Sequence, residues 1–206
     1  VAVPVRAEAR DAVVSESGDL ASLASGARVG TSSPRRAAAV RRYRPDLVVV
    51  PVRGNVDTRV RKVREGQVEA VIVAAAGLGR LGHGEQITEL VDPTVIVPAP
   101  AQGALAVEMR ADHPLAEALS ALDDEESHVR VAAERQVLAA IGATCTTAVG
   151  AYSVLDGSSL TLLADLTDHL GVDHARVTLT TRPGADRLSD AVQLGSDVAS
   201  RLLGRS

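Results

Sequence analysis

Arginine is concentrated in one segment of the chain, between residues 35 and 64. Its members there are Arg35, Arg36, Arg41, Arg42, Arg44, Arg53, Arg59, Arg61 and Arg64. The guanidinium group presents a planar fork of N–H donors that binds carboxylates and phosphates through paired hydrogen bonds. The segment therefore predicts a site for an anionic molecule.

Two loops of this segment each follow a predicted strand and precede a predicted helix. Residues 31–36 read Thr-Ser-Ser-Pro-Arg-Arg, and residues 53–59 read Arg-Gly-Asn-Val-Asp-Thr-Arg. Open α/β sheets bind ligands at the carboxyl ends of their strands, and helix N-termini present free N–H groups to anions. We expect both loops to face one crevice. The alternative is a pair of ordinary helix caps on a solvated basic surface.

Cys145 is the single cysteine, and it lies in a loop of small residues, 142–150. One thiol can form neither an internal disulfide nor a four-ligand zinc site. It could carry a covalently bound group, act as a nucleophile, or fill space as a small apolar residue. The histidines show no pairing at helical ligand spacing, so we predict no metal site.

Glycines at positions 77, 79 and 82 match the G-x-G-x-x-G pattern of dinucleotide-binding folds. That pattern should open a long helix and precede a second strand with an acidic residue. Here Gly82-His-Gly84 interrupts any helix, so the segment 77–82 is predicted to be a turn. A dinucleotide-dependent enzyme nevertheless stays open as an alternative.

Composition narrows the class of protein. The 206 residues carry a net charge of −4, and 46% are hydrophobic but only 1% aromatic. Few aromatic residues and mild acidity argue against nucleic-acid binding. No apolar run has the length of a membrane span, and residues 1–5 lack the pattern of a signal peptide. We therefore expect a cytoplasmic protein.

The elements that must position these residues form two groups. The first half alternates strands and helices, which predicts a parallel α/β sheet. Its predicted strands are 27–31, 47–52, 69–75 and 103–109, with helices at 34–43 and 57–66, the second capped by Asp57 or Thr58. The second half predicts a helix at 127–141, a hairpin at 148–155 and 160–166, a strand at 175–181 and a helix at 186–203.

Taken together, these motifs closely resemble the porphobilinogen deaminase (hydroxymethylbilane synthase) family of tetrapyrrole biosynthesis. The matching strings occur in the family's order along nearly the whole chain. They are residues 29–36, 53–59, 61–62, 74–81, 102–108 and 133–135, followed by the Cys145 loop. Thr144 and Ala148 stand where the family usually has glycine and proline.

The resemblance implies a transferase that condenses porphobilinogen, with loss of ammonia, into hydroxymethylbilane. It implies a dipyrromethane cofactor bound through a thioether to Cys145, in a protein that is usually monomeric. The carboxylates of the pyrroles would be held by Ser33, Arg35, Arg36, Arg53, Arg59 and Arg80. Thr31, Gly54, Asn55 and Gln102 would line the same cleft.

The resemblance also implies a domain organisation. An α/β domain like those of periplasmic binding proteins is expected, with a small α+β C-terminal domain built on a three-stranded antiparallel sheet. Residues 1–10 would be a remnant of domain 1, 11–97 domain 2, 98–122 a return segment to domain 1, and 123–206 domain 3.

The family's catalytic aspartate would fall before Val1, so no catalytic residue is assigned and Asp11 is not its counterpart. We expect the 206 residues alone to be inactive. A solute-binding or sensor module for small anions remains an alternative.

Overall fold

The computed structural model describes residues 1–110, 112–144, 147–168 and 170–204. Its strands are β1 (Asp11–Ser15), β2 (Arg28–Gly30), β3 (Val48–Val50), β4 (Ala70–Ala74), β5 (Glu89–Leu90), β6 (Ala148–Asp156), β7 (Ser159–Thr167) and β8 (His174–Thr181). Its α-helices are α1 (Pro34–Tyr43), α2 (Val56–Arg64), α3 (Ala75–Arg80), α4 (Ala116–Ser120), α5 (Glu125–Ile141) and α6 (Arg187–Leu202).

The first five strands form one mixed sheet in the order β3-β2-β4-β1-β5. β2 runs parallel to β3 and β4, whereas β1 pairs antiparallel with both β4 and β5. The predicted parallel arrangement is confirmed for β2, β3 and β4, whereas β1 was not among the predicted strands and makes the sheet mixed. Every residue of β1 is buried. The strand therefore lacks the alternation of apolar and polar residues that is typical of an antiparallel strand with one face in solvent.

Alternate residues of the central strands face two separate cores. Val13 and Ile72 pack with Leu20 and Val40 on one face of the sheet. Ala12, Val71 and Val73 belong to the core on the other face, which includes residues of α2 and α3. Helices therefore cover both faces of this sheet.

Two local predictions in the first half are wrong. The turn predicted at 77–82 is wrong for residues 77–80, which belong to α3, and only Leu81 and Gly82 form a turn. A side chain at Gly77 would approach Val56, so glycine there permits α3 to lie close to the start of α2. The segment 103–109 forms only an isolated bridge between Ala2 and Val107, since the backbone turns at Gly103 with φ 85°.

The second sheet has the order β6-β7-β8 and is antiparallel throughout, as predicted. Helices α5 and α6 pack on one of its faces, around Val129, Val137, Leu162 and Val198. Acidic residues begin α5: Asp124 caps the helix, and Glu125 and Glu126 lie in its first turn, where negative charge offsets the helix dipole.

The second sheet lies directly against the first half of the chain. The Ala151 N–H donates to the Pro98 carbonyl at 2.9 Å. A Cβ at Gly150 would lie 2.6 Å from the Val97 carbonyl oxygen, so the two backbones meet where only glycine fits. Strand β6 is thereby held against the segment that follows β5.

Candidate functional site

The loop between β2 and α1 brings two arginines to the carboxyl edge of the first sheet. Ser33 caps α1, and its hydroxyl accepts from the Arg36 N–H at 3.5 Å. The Thr31 hydroxyl accepts from the Ser33 N–H at 3.2 Å, and Thr31 is itself buried. Proline at the first position of α1 suits the helix start. Arg35 and Arg36 are therefore fixed in the first turn of α1.

Both arginines bind one buried carboxylate. Asp11 is 0% exposed, and Arg35 and Arg36 are each 8% exposed. The Arg35 Nη1 lies 2.6 Å from Asp11 Oδ2, and the Arg36 Nη2 lies 2.7 Å from Asp11 Oδ1. Two guanidinium groups thus share a single counter-ion.

Burial and neighbouring charges both shift the pKa values of this cluster. Burial by itself would raise the pKa of Asp11, but Arg35 and Arg36 together hold it below its usual value. Burial lowers the pKa of Arg36, and Arg35 and Arg59 lower it further by repulsion although Asp11 opposes them. Arg59 is therefore close enough to contribute its charge to the same crevice.

Gln102 lies among the charged groups of this cluster. Its side-chain Oε1 accepts from Arg35 at 3.4 Å and from Arg36 at 3.3 Å. Its Nε2 donates to the Ala9 carbonyl at 2.7 Å and to Asp11 Oδ1 at 3.0 Å. The structure thus brings Gln102 together with the predicted arginine pair.

The other predicted arginines lack a carboxylate partner among the residues that the structure describes. Arg59 Nε donates to the Gly54 carbonyl at 2.9 Å, and Arg80 Nη2 donates to the Gly103 carbonyl at 2.8 Å. Arg53 is exposed. With two arginines sharing Asp11 and these three unpaired, the predicted set carries an excess of four positive charges.

Gly54 and Asn55 form the turn that begins α2. Gly54 has φ 121°, and a Cβ there would meet the Thr58 side chain. The Asn55 side chain accepts from the Thr58 N–H at 2.8 Å, so Asn55 rather than the expected Asp57 or Thr58 caps α2. These contacts shape the loop that carries Arg53.

Cys145 lies outside the described residues, but both sides of its loop are described. Helix α5 ends at Ile141, and Gly142 caps it in the left-handed conformation. The Ala143 N–H donates back to the Leu138 carbonyl at 3.1 Å. A cavity of about 510 Å³ runs from these residues to the turn at Pro100 and Ala101. Arg135 also lines that cavity.

Two buried carboxylates, Asp11 and Glu134, were not predicted from the sequence to belong to the site. Asp11 was set aside, although it neutralises part of the arginine pair. Glu134 is 0% exposed and binds Arg6 through both carboxylate oxygens, at 2.7 and 2.9 Å. A signal was present, because Glu134 stands three residues from Val131 and from Val137 on the buried side of α5.

The described residues were also compared with the requirements of a metal site and of a membrane-spanning helix. They include no cluster of three or more His, Cys, Asp or Glu side chains arranged to hold a metal ion. Among the same residues, every helix is too short or too polar to cross a bilayer.

Comparison with known proteins places the chain in a class of tetrapyrrole-related proteins. Residues 1–118 match the family model described as "Porphobilinogen deaminase, dipyromethane cofactor binding domain". Residues 128–204 match the porphobilinogen deaminase C-terminal domain. The chain belongs to the porphobilinogen deaminase family.

Curated relatives agree with this assignment. The chain is 48% identical over 202 residues to the porphobilinogen deaminase of Roseiflexus castenholzii, covering 97% of the chain and 65% of the relative. It is 48% identical over 206 residues to that of Sorangium cellulosum, covering 97% and 67%. For Acidothermus cellulolyticus the identity is 49% over 208 residues, covering 98% and 61%. The chain thus spans between 61% and 67% of the length of these relatives.

Proposed function

We propose that this chain holds the dipyrromethane cofactor and the growing pyrrole chain of a porphobilinogen deaminase. The enzyme would condense porphobilinogen into hydroxymethylbilane with loss of ammonia. The observation that carries the proposal is the excess of positive charge of Arg35, Arg36 and Arg59, for which Asp11 is the sole carboxylate partner among the described residues. Pyrroles that bear acetate and propionate groups supply the missing negative charge.

The predicted residues divide into two roles. Arg53, Arg59 and Arg80 form no ion pair among the described residues, so they are free to bind carboxylates of the pyrrole chain. Arg35 and Arg36 are oriented by Asp11 and Gln102, and their combined charge exceeds that of Asp11 by one. Charge-assisted, bidentate contacts of this kind are the strong ones in binding sites.

Cys145 is the proposed point of cofactor attachment. The cavity beside Gly142 and Ala143 extends to Ala101, whose neighbour in sequence, Gln102, contacts the arginine pair. Arg135 adds a cation without a partner in the described part of the chain. The bound cofactor supplies the primer to which pyrroles are added, and the residues of this chain bind and orient it.

The domain organisation is proposed on the same family basis. Residues 11–97 would be an α/β domain like those of periplasmic binding proteins, and residues 123–206 would be the cofactor-attachment domain. Residues 1–10 and 98–122 would belong to a further domain. The antiparallel β1 within a mixed sheet and the separate three-stranded sheet support this division.

Product formation tests the proposal. The protein expressed from its complete gene is incubated with porphobilinogen, and hydroxymethylbilane is followed as uroporphyrin after cyclisation and oxidation. We expect turnover, and an Arg59→Leu variant slowed about tenfold or more because a charge-assisted contact is lost. A folded protein that forms no tetrapyrrole would contradict the proposal.

The alternative of a solute-binding or sensor module makes a different prediction. Such a module would bind simple dicarboxylates such as succinate as tightly as porphobilinogen, and it would convert neither. Calorimetric titration with both compounds separates the two functions. No comparison favours the solute-binding function.

A further inference from the structure

The turn that precedes Gln102 contains a strained residue. The Gln102 N–H donates to the Ala99 carbonyl at 2.9 Å, which closes a four-residue turn with Pro100 in its second position. Ala101 occupies the third position with φ 61°, and it is the sole non-glycine residue with positive φ in the described part of the chain. Proline second and positive φ third are the features of a type II turn, which favours glycine at the third position. The Cβ of Ala101 makes this conformation unfavourable.

A carboxylate of the other half of the molecule holds this strained residue. The Ala101 N–H donates to Glu134 Oε2 at 2.7 Å. Glu134 lies on α5 and is itself fixed, because Arg6 binds both of its oxygens and Ser153 donates to Oε1 through its N–H and hydroxyl. Charged, buried acceptors make strong hydrogen bonds, so this contact opposes the strain at Ala101.

The turn determines where Gln102 lies. Its side chain bridges Asp11 and the two arginines, while its backbone carbonyl accepts from Arg6 Nε at 2.9 Å. A change of backbone at Ala101 would therefore move the carboxamide that contacts Arg35 and Arg36. A continuous set of hydrogen bonds joins Glu134 to the arginine pair.

We infer that Glu134 is a positioning residue for the carboxylate site. By holding Ala101 in the left-handed conformation, it places Gln102 between Asp11 and the arginine pair. The inference rests on the proposed binding of pyrrole carboxylates at these arginines. On this inference, the position of Gln102 beside the arginine pair depends on the Glu134 side chain of α5, the helix that precedes the Cys145 loop.

The test uses Glu134→Asp in the protein expressed from its complete gene. Aspartate keeps the charge opposite Arg6 but is one methylene shorter, so it cannot also reach the Ala101 N–H. We expect the dissociation constant for porphobilinogen to rise about tenfold and hydrogen exchange of the Gln102 N–H to accelerate about tenfold. Adding Ala101→Gly should restore both values, because glycine adopts positive φ without strain.

The matched control is Val137→Ala. Val137 is buried on the same helix, so its truncation lowers the melting temperature while leaving the dissociation constant and the exchange of Gln102 unchanged. If Glu134→Asp raises the dissociation constant no more than Val137→Ala does, or if adding Ala101→Gly restores neither value, the inference is wrong. If the unaltered protein does not bind porphobilinogen, the proposed function fails, and the Gln102 exchange rates still decide the role of Glu134.

A second variant covers the case in which Glu134→Asp does not fold. Ala101→Val leaves Glu134 and Arg6 intact and increases the strain, because a β-branched residue strongly disfavours positive φ. Ala101 borders open cavities, so the added methyl groups meet space rather than packed atoms. Faster exchange at Gln102 would support the inference, and unchanged exchange would overturn it.

Discussion

At the scale of single residues, the site is defined by an imbalance of charge. Asp11 is completely buried and accepts from two arginines, so it fixes their orientation but neutralises only one of them. Burying an unneutralised cation is costly, and under the proposed function a ligand with several carboxylates would offset that cost. The ion pairs with Asp11 thus hold the first turn of α1 in the free protein, and one positive charge remains that an anion could neutralise.

Asp11→Asn should destabilise the protein strongly. The variant leaves both buried guanidinium groups without a counter-ion, which typically costs about 3–5 kcal/mol of unfolding free energy. Denaturant unfolding measures the loss, and Asp112→Asn on the exposed surface is the control. A change of less than about 1 kcal/mol would show that the pair is screened by solvent despite its burial.

The same carboxylate predicts an acid limit to stability. Because the arginines hold the pKa of Asp11 below its ordinary value of 3.8, its ionised form stabilises the folded state fully above that pH. The contribution is lost as the pH falls through the lowered pKa. Melting temperatures measured between pH 6 and pH 2 should fall steeply below about pH 4. A variant lacking the Asp11 carboxylate should show a shallower fall over that interval.

Arg53 offers a test of binding that is separate from folding. It is exposed and has no hydrogen-bond partner among the described residues, so Arg53→Leu should leave the melting temperature unchanged. Affinity for porphobilinogen should drop about tenfold or more if a charge-assisted contact is lost. Arg64→Leu is the matched control, because Arg64 is also exposed but lies at the opposite end of α2. Equal effects of the two variants would indicate long-range attraction rather than contact.

At the scale of elements, α1 connects the two halves of the chain. Its first turn binds Asp11, and Arg42 near its end lies 3.2 Å from Asp165 of β7. Asp165 also pairs with Arg176 of β8, whose Nη1 donates to the Thr94 carbonyl at 2.7 Å. The helix that presents the arginine pair is therefore fixed to both sheets.

Gly150→Ala should weaken the contact between β6 and the first half of the chain. Its Cβ would lie 2.6 Å from the Val97 carbonyl oxygen, so the backbone must shift, at a cost of about 1–3 kcal/mol. Gly79→Ala in α3 is the control, since no atom lies within 4 Å of its Cβ position and the helix gains stability. Thermal unfolding should therefore move in opposite directions for the two variants. An unchanged melting temperature for Gly150→Ala would mean that the two halves separate easily.

Much of this element structure could be predicted from the sequence, for identifiable physical reasons. Ser33, Pro34, Asp124 and Asp186 mark helix starts through capping preferences that act locally. The direction of β1 and the helical state of 77–80 could not be predicted, because both depend on packing partners distant in sequence. The strand expected at 103–109 failed because its apolar residues have just one short extended partner, around Ala2.

At the scale of the whole molecule, the predicted site is partly assembled from distant segments. The sequence indicated which arginines to group, since their loops follow adjacent parallel strands. The family resemblance already indicated Gln102 as part of the same cleft, and Gln102 does contact Arg36. The sequence could not indicate that Asp11 completes the group, because residue 11 meets the arginines only in the folded chain. Nor could it indicate that Glu134 supports the turn beside them, a contact spanning 33 positions.

The central claim is that this chain carries a dipyrromethane group on Cys145 and holds it through the arginine crevice. The most direct measurement is the intact mass of the protein expressed from its complete gene, compared with a Cys145→Ala variant expressed in the same way. We expect the unaltered protein to exceed its sequence mass by one dipyrromethane unit, and the variant to match its sequence mass. Equal masses after allowing for the substitution, with the group on both proteins or on neither, would contradict the account.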